Sequence, residues 1–140
     1  MKKLYFAFAL TLFYCNLFSQ ITYVNSTASG LNDGSSWENA FIDLDDALEK
    51  FNGQSIFTQE SIWVAAGTYK PGGSNPDTSS SFFIDFEGDL YGGFNGTETD
   101  ISQRDIAQNP TILSGDFNDN DGSSIDSMLR VENARHVVLV

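Results

Sequence analysis

Short apolar segments separated by turn-rich loops dominate the chain from residue 60 onward. They lie at 62–66, 82–84, 90–94, 111–114, 128–131 and 136–140. Their strongest apolar positions, Val64, Leu90 and Ile112, are 26 and 22 residues apart with no helical pattern between them. Strands of hairpin-built sandwiches recur more often, at about 8–12 residues. A spacing of about 20–50 residues is typical of repeating coils. The spacing therefore predicts an all-β fold that rises one turn of chain at a time.

One segment has the periodicity of a helix instead. Its apolar positions are i, i+3, i+4 and i+7, which is one helical face: Leu44, Ala47, Leu48 and Phe51. Asp43 is the predicted N-cap, and Asp46 is placed to return the hydrogen bond. The polar pair Asn52-Gly53 ends the pattern. We therefore expect a single amphipathic helix, which a short strand at 21–24 precedes.

The first 19 residues have the composition of a secretory signal peptide. Lys2 and Lys3 form a basic start, an apolar run extends to Phe18, and the small residue Ser19 precedes Gln20. The apolar run is shorter than the roughly 20 residues of a membrane span. Residues 1–19 are thus predicted to be removed on export, leaving 20–140 as the mature domain, with a membrane anchor as the alternative. A lipid anchor on Cys15 is disfavoured, because the residues before it are large.

Charge and residue counts exclude several classes of function. The chain carries a net charge of −12, and residues 20–140 alone carry −14, because Lys2 and Lys3 are lost without any acid. Such a surface does not bind the phosphates of a nucleic acid. A single cysteine excludes a disulfide framework and a cysteine zinc site, and a single histidine excludes a multi-histidine metal centre.

The best metal candidate is an acidic loop. Its oxygen-bearing side chains are those of Asp116, Asn118, Asp119 and Asp121. Ca²⁺ takes several such oxygen ligands, so the loop is a candidate calcium site. The EF-hand spacing is not met, because Asp121 stands where that motif requires glycine. The alternative is a polar loop between strands, since Asn and Asp are also turn residues.

Other acidic and aromatic residues offer weaker signals. The acids of the helix, Asp43, Asp45, Asp46 and Glu49, are expected to form a solvated face rather than an acid–base pair. Three alternating acids, Asp85, Glu87 and Asp89, could hold a cation or a sugar hydroxyl, or simply face solvent. Five aromatic residues could stack on sugars, with inward packing favoured for the first and last: Trp37, Trp63, Tyr69, Tyr91 and Phe94. No catalytic residue and no other cofactor site is predicted.

An ordered set of segments resembles a known family. The segments are 23–25, 34–41, 44–48, 62–71, 91–99, 102–105 and 109–116. Over residues 22–140 the chain resembles the N-terminal region of secreted right-handed parallel β-helix proteins, which are pectate-lyase-like proteins of the choice-of-anchor or polymorphic outer-membrane type. The resemblance implies that the helix covers the open end of the coil and that the strands form its first turns. The calcium-binding acids and catalytic base of the enzymes in this family have no counterparts in this chain.

The resemblance also implies a function. We expect an exported scaffold, secreted or on the outer cell surface, that is adhesin-like or contacts glycans. Its partner is then an extracellular polysaccharide or cell-surface glycan, with no membrane span after signal cleavage. The alternative is the N-terminal part of a polysaccharide lyase or glycoside hydrolase whose active site lies beyond residue 140. The apolar strand at 136–140 favours a longer protein, because an uncovered last strand invites aggregation.

Overall fold

Strands make up most of the regular structure. The computed structural model describes residues 20–52, 60–73, 75–121 and 130–140. Their elements in chain order are β1 (Gln20–Val24), α1 (Leu44–Phe51), β2 (Glu60–Ala65), β3 (Gly67–Tyr69), β4 (Phe82–Phe83), β5 (Gly88–Phe94), a short 3₁₀ helix (Ile101–Gln103), β6 (Thr111–Leu113) and β7 (Val138–Leu139). The predicted all-β class is confirmed. The predicted signal peptide and residues 128 and 129 of the predicted strand at 128–131 lie outside the described residues, and Arg130 and Val131 are in a turn rather than in a strand.

The strands form three separate sheets. One sheet has the order β1-β2-β5, and two smaller sheets pair β3 with β6 and β4 with β7. Every pairing between these strands is parallel. Parallel neighbours cannot be joined by a tight hairpin, so each pair is connected by a long stretch of chain. Along the chain, β2, β3 and β4 pair in that order with β5, β6 and β7.

Alternation along the strands sends one set of side chains into the core. Thr22 and Val24 of β1 and Ile62 and Val64 of β2 are almost fully buried. The core cluster also contains the apolar face of α1, together with Tyr69 and Phe82. All four residues predicted for that face are buried: Leu44, Ala47, Leu48 and Phe51. The helix packs against β1 and β4.

The predicted cap of α1 is wrong in its detail. Asp43 is the N-cap residue, but its side chain makes no capping hydrogen bond. The next acid, Asp45, instead contacts the loop after β3, where it accepts a hydrogen bond from the backbone N–H of Gly72 at 2.8 Å. A complete capping box is found at the 3₁₀ helix. The Asp100 carboxylate accepts from the backbone N–H of Ser102 at 2.8 Å, and the side chain of Gln103 accepts from the backbone N–H of Asp100 at 3.0 Å.

Strand β3 was not expected from the sequence. Gly67 looks like the end of the preceding strand, yet the chain bends at Ala66 and pairs again directly. The next three residues pair with Thr111–Leu113 in parallel register. Within the part of the chain that the structure describes, no helix has the length and apolar character needed to cross a membrane.

Candidate functional site

A layer of aromatic rings covers the outer face of the three-stranded sheet. Tyr23, Trp63 and Tyr91 are in register across β1, β2 and β5, on the side opposite the core residues. Trp63 stacks on Phe94 with 4.6 Å between ring centroids. Trp37, from the loop after β1, contacts Tyr23 at 4.7 Å and Phe94 at 5.5 Å. We call Tyr23, Trp37, Trp63, Tyr91 and Phe94 the aromatic layer.

The larger cleft beside this layer has a volume of about 560 Å³, and Trp37 is its aromatic lining residue. Its walls are built from two loops, the one after β1 and the one after β5, with these lining residues: Asn25, Thr27, Ala28, Ser29, Ser36, Trp37, Glu38, Gly96 and Thr97. The lining thus combines one partly exposed aromatic ring with hydroxyl and amide groups. We call this site the Trp37 cleft.

A buried glutamate fixes one wall of the Trp37 cleft. Glu98 is only 6% exposed. Its carboxylate accepts hydrogen bonds from the backbone N–H groups of Asn95 at 2.7 Å and of Gly96 and Thr97 at 3.0 Å. Burial acts to raise the pKa of Glu98, but these hydrogen bonds outweigh it and the pKa is lowered. The carboxylate therefore stays ionised and holds the loop 95–97 in place.

A second cleft borders the aromatic layer at Trp63 and has a volume of about 370 Å³. It is lined by Ile21, Glu60, Ser61, Trp63, Asp89, Tyr91, Thr99, Asp100 and Ile101. A hydrogen bond to the Asp89 carboxylate raises the pKa of the Tyr91 phenol. We call this site the Tyr91 cleft, which combines three carboxylates with aromatic and aliphatic walls.

Lys50 and Arg104 are each held by other groups of the protein. Lys50 donates to the Thr22 hydroxyl at 3.2 Å. The Arg104 Nε donates to the carbonyl of Gly92 at 2.8 Å, and its guanidinium lies 5.0 Å from the centre of the Tyr91 ring. Neither cleft has a lysine or arginine among its lining residues. The two clefts therefore disfavour anionic ligands.

The predicted solvated face is found for Asp43, Asp46 and Glu49, which are exposed, whereas Asp45 is only partly exposed. Asp43, Asp45 and Asp46 line a shallow cleft together with the loop at 72–73. Burial raises the pKa of Asp45, and the hydrogen bond from Gly72 only partly opposes this effect. The helix face is thus partly covered by the loop that follows β3.

Two of the four predicted calcium ligands, Asp116 and Asp121, accept hydrogen bonds from other groups of the protein. The Asp116 carboxylate accepts from the backbone N–H groups of residues 120 and 121 at 3.2 Å and 3.0 Å. Asp121 accepts from the side chain of Asn133 at 2.7 Å, and Asn118 is exposed. In the described part of the chain, no group of three or more His, Cys, Asp or Glu side chains is placed to hold a metal ion. Calcium binding by this loop stays a prediction.

The loop 116–121 already contacts a cation of the protein itself. The Lys70 ammonium lies 2.7 Å from Asp119 Oδ2 and donates to the carbonyl of Phe117 at 3.2 Å. The same charge helps to lower the pKa of Asp116, although the backbone N–H of Asp121 is the larger cause. A calcium ion at this position has to compete with Lys70.

The remaining acidic and aromatic candidates differ in burial and in whether they line a cleft. Of the alternating acids, only Asp89 lines a cleft, whereas Asp85 and Glu87 are exposed outside both. Of the aromatic candidates, Trp63, Tyr69 and Phe94 are buried and Trp37 and Tyr91 are partly exposed. Trp37 was expected to pack inward and does contact the layer, but it also lines a cleft. Glu98, which organises that cleft, was not singled out in the sequence, although a glutamate after Asn-Gly-Thr is a visible signal for a loop-binding carboxylate.

Comparison with known proteins returns no match: no family model, curated protein or solved structure is similar to this chain.

Proposed function

We propose that this chain forms the N-terminal cap and first turns of an exported, right-handed parallel β-helix scaffold that contacts glycans. The observation that carries the proposal is the order of pairing, since β2, β3 and β4 pair in parallel with β5, β6 and β7. A chain that visits three sheets twice in the same order travels around a coil. Right-handedness follows from the strong preference of parallel crossovers for that hand.

The position of α1 supports its role as a cap. The helix lies in the connection from β1 to β2. The corresponding connection of the next turn, from β2 to β5, contains the strands β3 and β4 instead. Its apolar face fills the core beside β1, and it packs against β4. A helix in this place covers strand edges that would otherwise recruit other strands.

Glycan contact is supported by the chemistry of the Trp37 cleft. A pyranose ring has an apolar face that packs on an aromatic ring and a hydroxyl rim that needs hydrogen-bonding partners. Trp37 provides an aromatic ring for the apolar face, and Ser29, Ser36 and Thr97 provide hydroxyl groups that can hydrogen-bond to the rim. The loop 95–97 is already fixed by Glu98, so little ordering is needed when a ligand binds.

Oligosaccharide binding by the exported protein tests the glycan part of this proposal. Neutral oligosaccharides should change the fluorescence of the two tryptophans, and Glu38→Ala at the cleft rim should weaken that binding. Glu87→Ala, which removes an exposed acid outside both clefts, is the matched control. If the protein binds no oligosaccharide of any charge, the glycan part of the proposal is wrong. N-terminal sequencing of the same sample should begin at Gln20.

A further inference from the structure

We infer that the Trp37 cleft selects neutral sugar units whose hydroxyl groups are free, and rejects the same units when these hydroxyls are methylated or acylated. This inference rests on the proposed glycan contact and deepens it, because it names the class of glycan. It is carried by the hydrogen bonds of the residues that line the cleft. Several of their donor groups are already used within the protein, whereas acceptor oxygens remain for a ligand.

Two turns with the same sequence pattern, Asn-x-Thr, lie at this cleft. In the first turn, Asn25 Oδ1 accepts from the backbone N–H of Thr27 at 3.0 Å and from the Thr27 hydroxyl at 2.8 Å. In the second turn, Asn95 Oδ1 accepts from the Thr97 hydroxyl at 2.6 Å. The turns are close together, because a Cβ added at Gly96 would lie 3.2 Å from Asn25 Nδ2. Both threonines are exposed and line the cleft.

These two turns determine how each threonine hydroxyl meets a ligand. A hydroxyl has one proton to donate and two lone pairs that accept. Since both protons are donated to asparagine oxygens, the Oγ1 atoms of Thr27 and Thr97 act toward a ligand as acceptors only. A ligand group that binds them must therefore be a hydrogen-bond donor.

Other donors of the lining residues are also used within the protein. The indole N–H of Trp37 donates to the main-chain carbonyl of Glu98 at 2.8 Å. The backbone N–H groups of Gly96 and Thr97 donate to the Glu98 carboxylate at 3.0 Å. These three donors are therefore not available to an ether or ester oxygen of a ligand.

Ser36 and Glu38 complete the hydrogen-bonding pattern of the cleft. Ser36 Oγ accepts from the backbone N–H of Asn39 at 3.1 Å, so its proton is available to a ligand. Glu38 is exposed at the rim, and its carboxylate is an acceptor. A sugar hydroxyl both donates and accepts, so neighbouring hydroxyls of one ring match both kinds of group. An O-methyl or O-acyl group has no proton and leaves the threonine oxygens without a partner.

Calorimetry on the full exported protein compares neutral oligosaccharides with their O-methylated forms. The probes are cellohexaose, mannohexaose and xylohexaose, each untreated and fully O-methylated. Methylation keeps the ligand neutral and its oxygens as acceptors, but it removes every hydroxyl donor. An oligosaccharide that binds should lose at least about tenfold in affinity when it is methylated, because two or more acceptors of the cleft then lack a partner.

Variants assign this preference to the two threonines. Thr27→Val and Thr97→Val keep the branched shape but remove an acceptor oxygen, so the affinity ratio of free to methylated ligand should fall by at least about threefold in each. Thr27→Ser and Thr97→Ser keep a hydroxyl and should keep the ratio. Thr68→Val, at an exposed threonine that lines neither cleft, is the matched control. A purely structural role of the threonines would weaken both ligand forms equally and leave the ratio unchanged.

Three results would overturn the inference. The first is equal or tighter binding of the methylated form by the wild-type protein, and the second is an affinity ratio that is unchanged in both valine variants. Either result leaves glycan contact standing. The third is failure of all three probes to bind, and glycan contact itself falls only if the wider range of oligosaccharides fails as well.

Discussion

The indole N–H of Trp37 donates to the main-chain carbonyl of Glu98 at 2.8 Å, across 61 residues of sequence. The carboxylate of the same glutamate binds the loop 95–97 through three backbone N–H groups. Glu98 therefore links the loop after β5 to the loop after β1 and builds the Trp37 cleft from both sides.

Replacing Glu98 should destabilise the protein. Glu98→Gln turns one acceptor oxygen into a donor that faces backbone N–H groups, so we expect the free energy of unfolding to fall by about 1–3 kcal/mol. Urea unfolding measures this change. Glu87→Gln changes the same charge at an exposed position and should stay within about 0.5 kcal/mol of wild type. Equal stability of the two variants would contradict the role assigned to Glu98.

The lowered pKa of Glu98 predicts a loss of stability in acid. A carboxyl whose pKa is lower in the folded than in the unfolded state stabilises the fold while it is ionised, at pH above its unfolded pKa of 4.5. This contribution is lost as the pH falls from 4.5 through the folded pKa. Asp45, whose pKa is raised, acts in the opposite direction. Melting curves should show a shallower acid decline for Glu98→Gln than for wild type, and parallel declines would contradict this prediction.

Alanine substitution of the two aspartates that precede the helices should have different effects on the melting temperature. Asp43 makes no side-chain capping bond, so Asp43→Ala should leave the melting temperature unchanged. Asp100 belongs to a complete capping box, so Asp100→Ala should lower it. Both substitutions remove one exposed carboxylate, so each controls for the charge change of the other. The reverse order of melting temperatures would show that the cap assignment is wrong.

Calcium binding should depend on Lys70. Because the Lys70 ammonium already lies 2.7 Å from Asp119, we expect calcium at about 1 mM, in the range of weak extracellular sites, to give no melting shift in the wild-type protein. Lys70→Met removes that cation and should allow a calcium-dependent shift. Asp119→Asn in the same background should abolish it. A clear shift in the wild-type protein would instead support the calcium site predicted from the sequence.

The helix and most strands could be predicted from the sequence, because their apolar residues recur at regular spacing. The buried face of α1 follows from a spacing that repeats with the helix turn, and most strands follow from apolar runs between turn residues. Strand β3 was missed because it has only three residues and begins at Gly67, which looks like a strand end. Its stability comes from pairing with β6, more than 40 residues away, which no local pattern reports.

Only part of the two clefts could be predicted from the sequence. Residue type alone marked Trp37 and Tyr91 as able to stack on sugars. Their grouping depends on which strands become neighbours, because Trp63 meets Phe94 only after β2 pairs with β5. The contact of Lys70 with the loop 116–121 likewise depends on the pairing of β3 with β6. Contacts set by the order of strands in space cannot be obtained from local spacing.

Disulfide trapping tests the coil most directly. Thr68 pairs with Ile112 between β3 and β6, and Phe83 pairs with Leu139 between β4 and β7; all four residues are exposed. Neighbouring strands lie about 4.8 Å apart, within the range that a disulfide spans. In a Cys15→Ser background, cysteines at each pair should form an intramolecular bond by intact mass and thiol counting. The combination Thr68→Cys with Leu139→Cys joins different sheets and should keep two free thiols. Free thiols in both matched pairs of the folded protein, or a bond in the mismatched one, would contradict the coil.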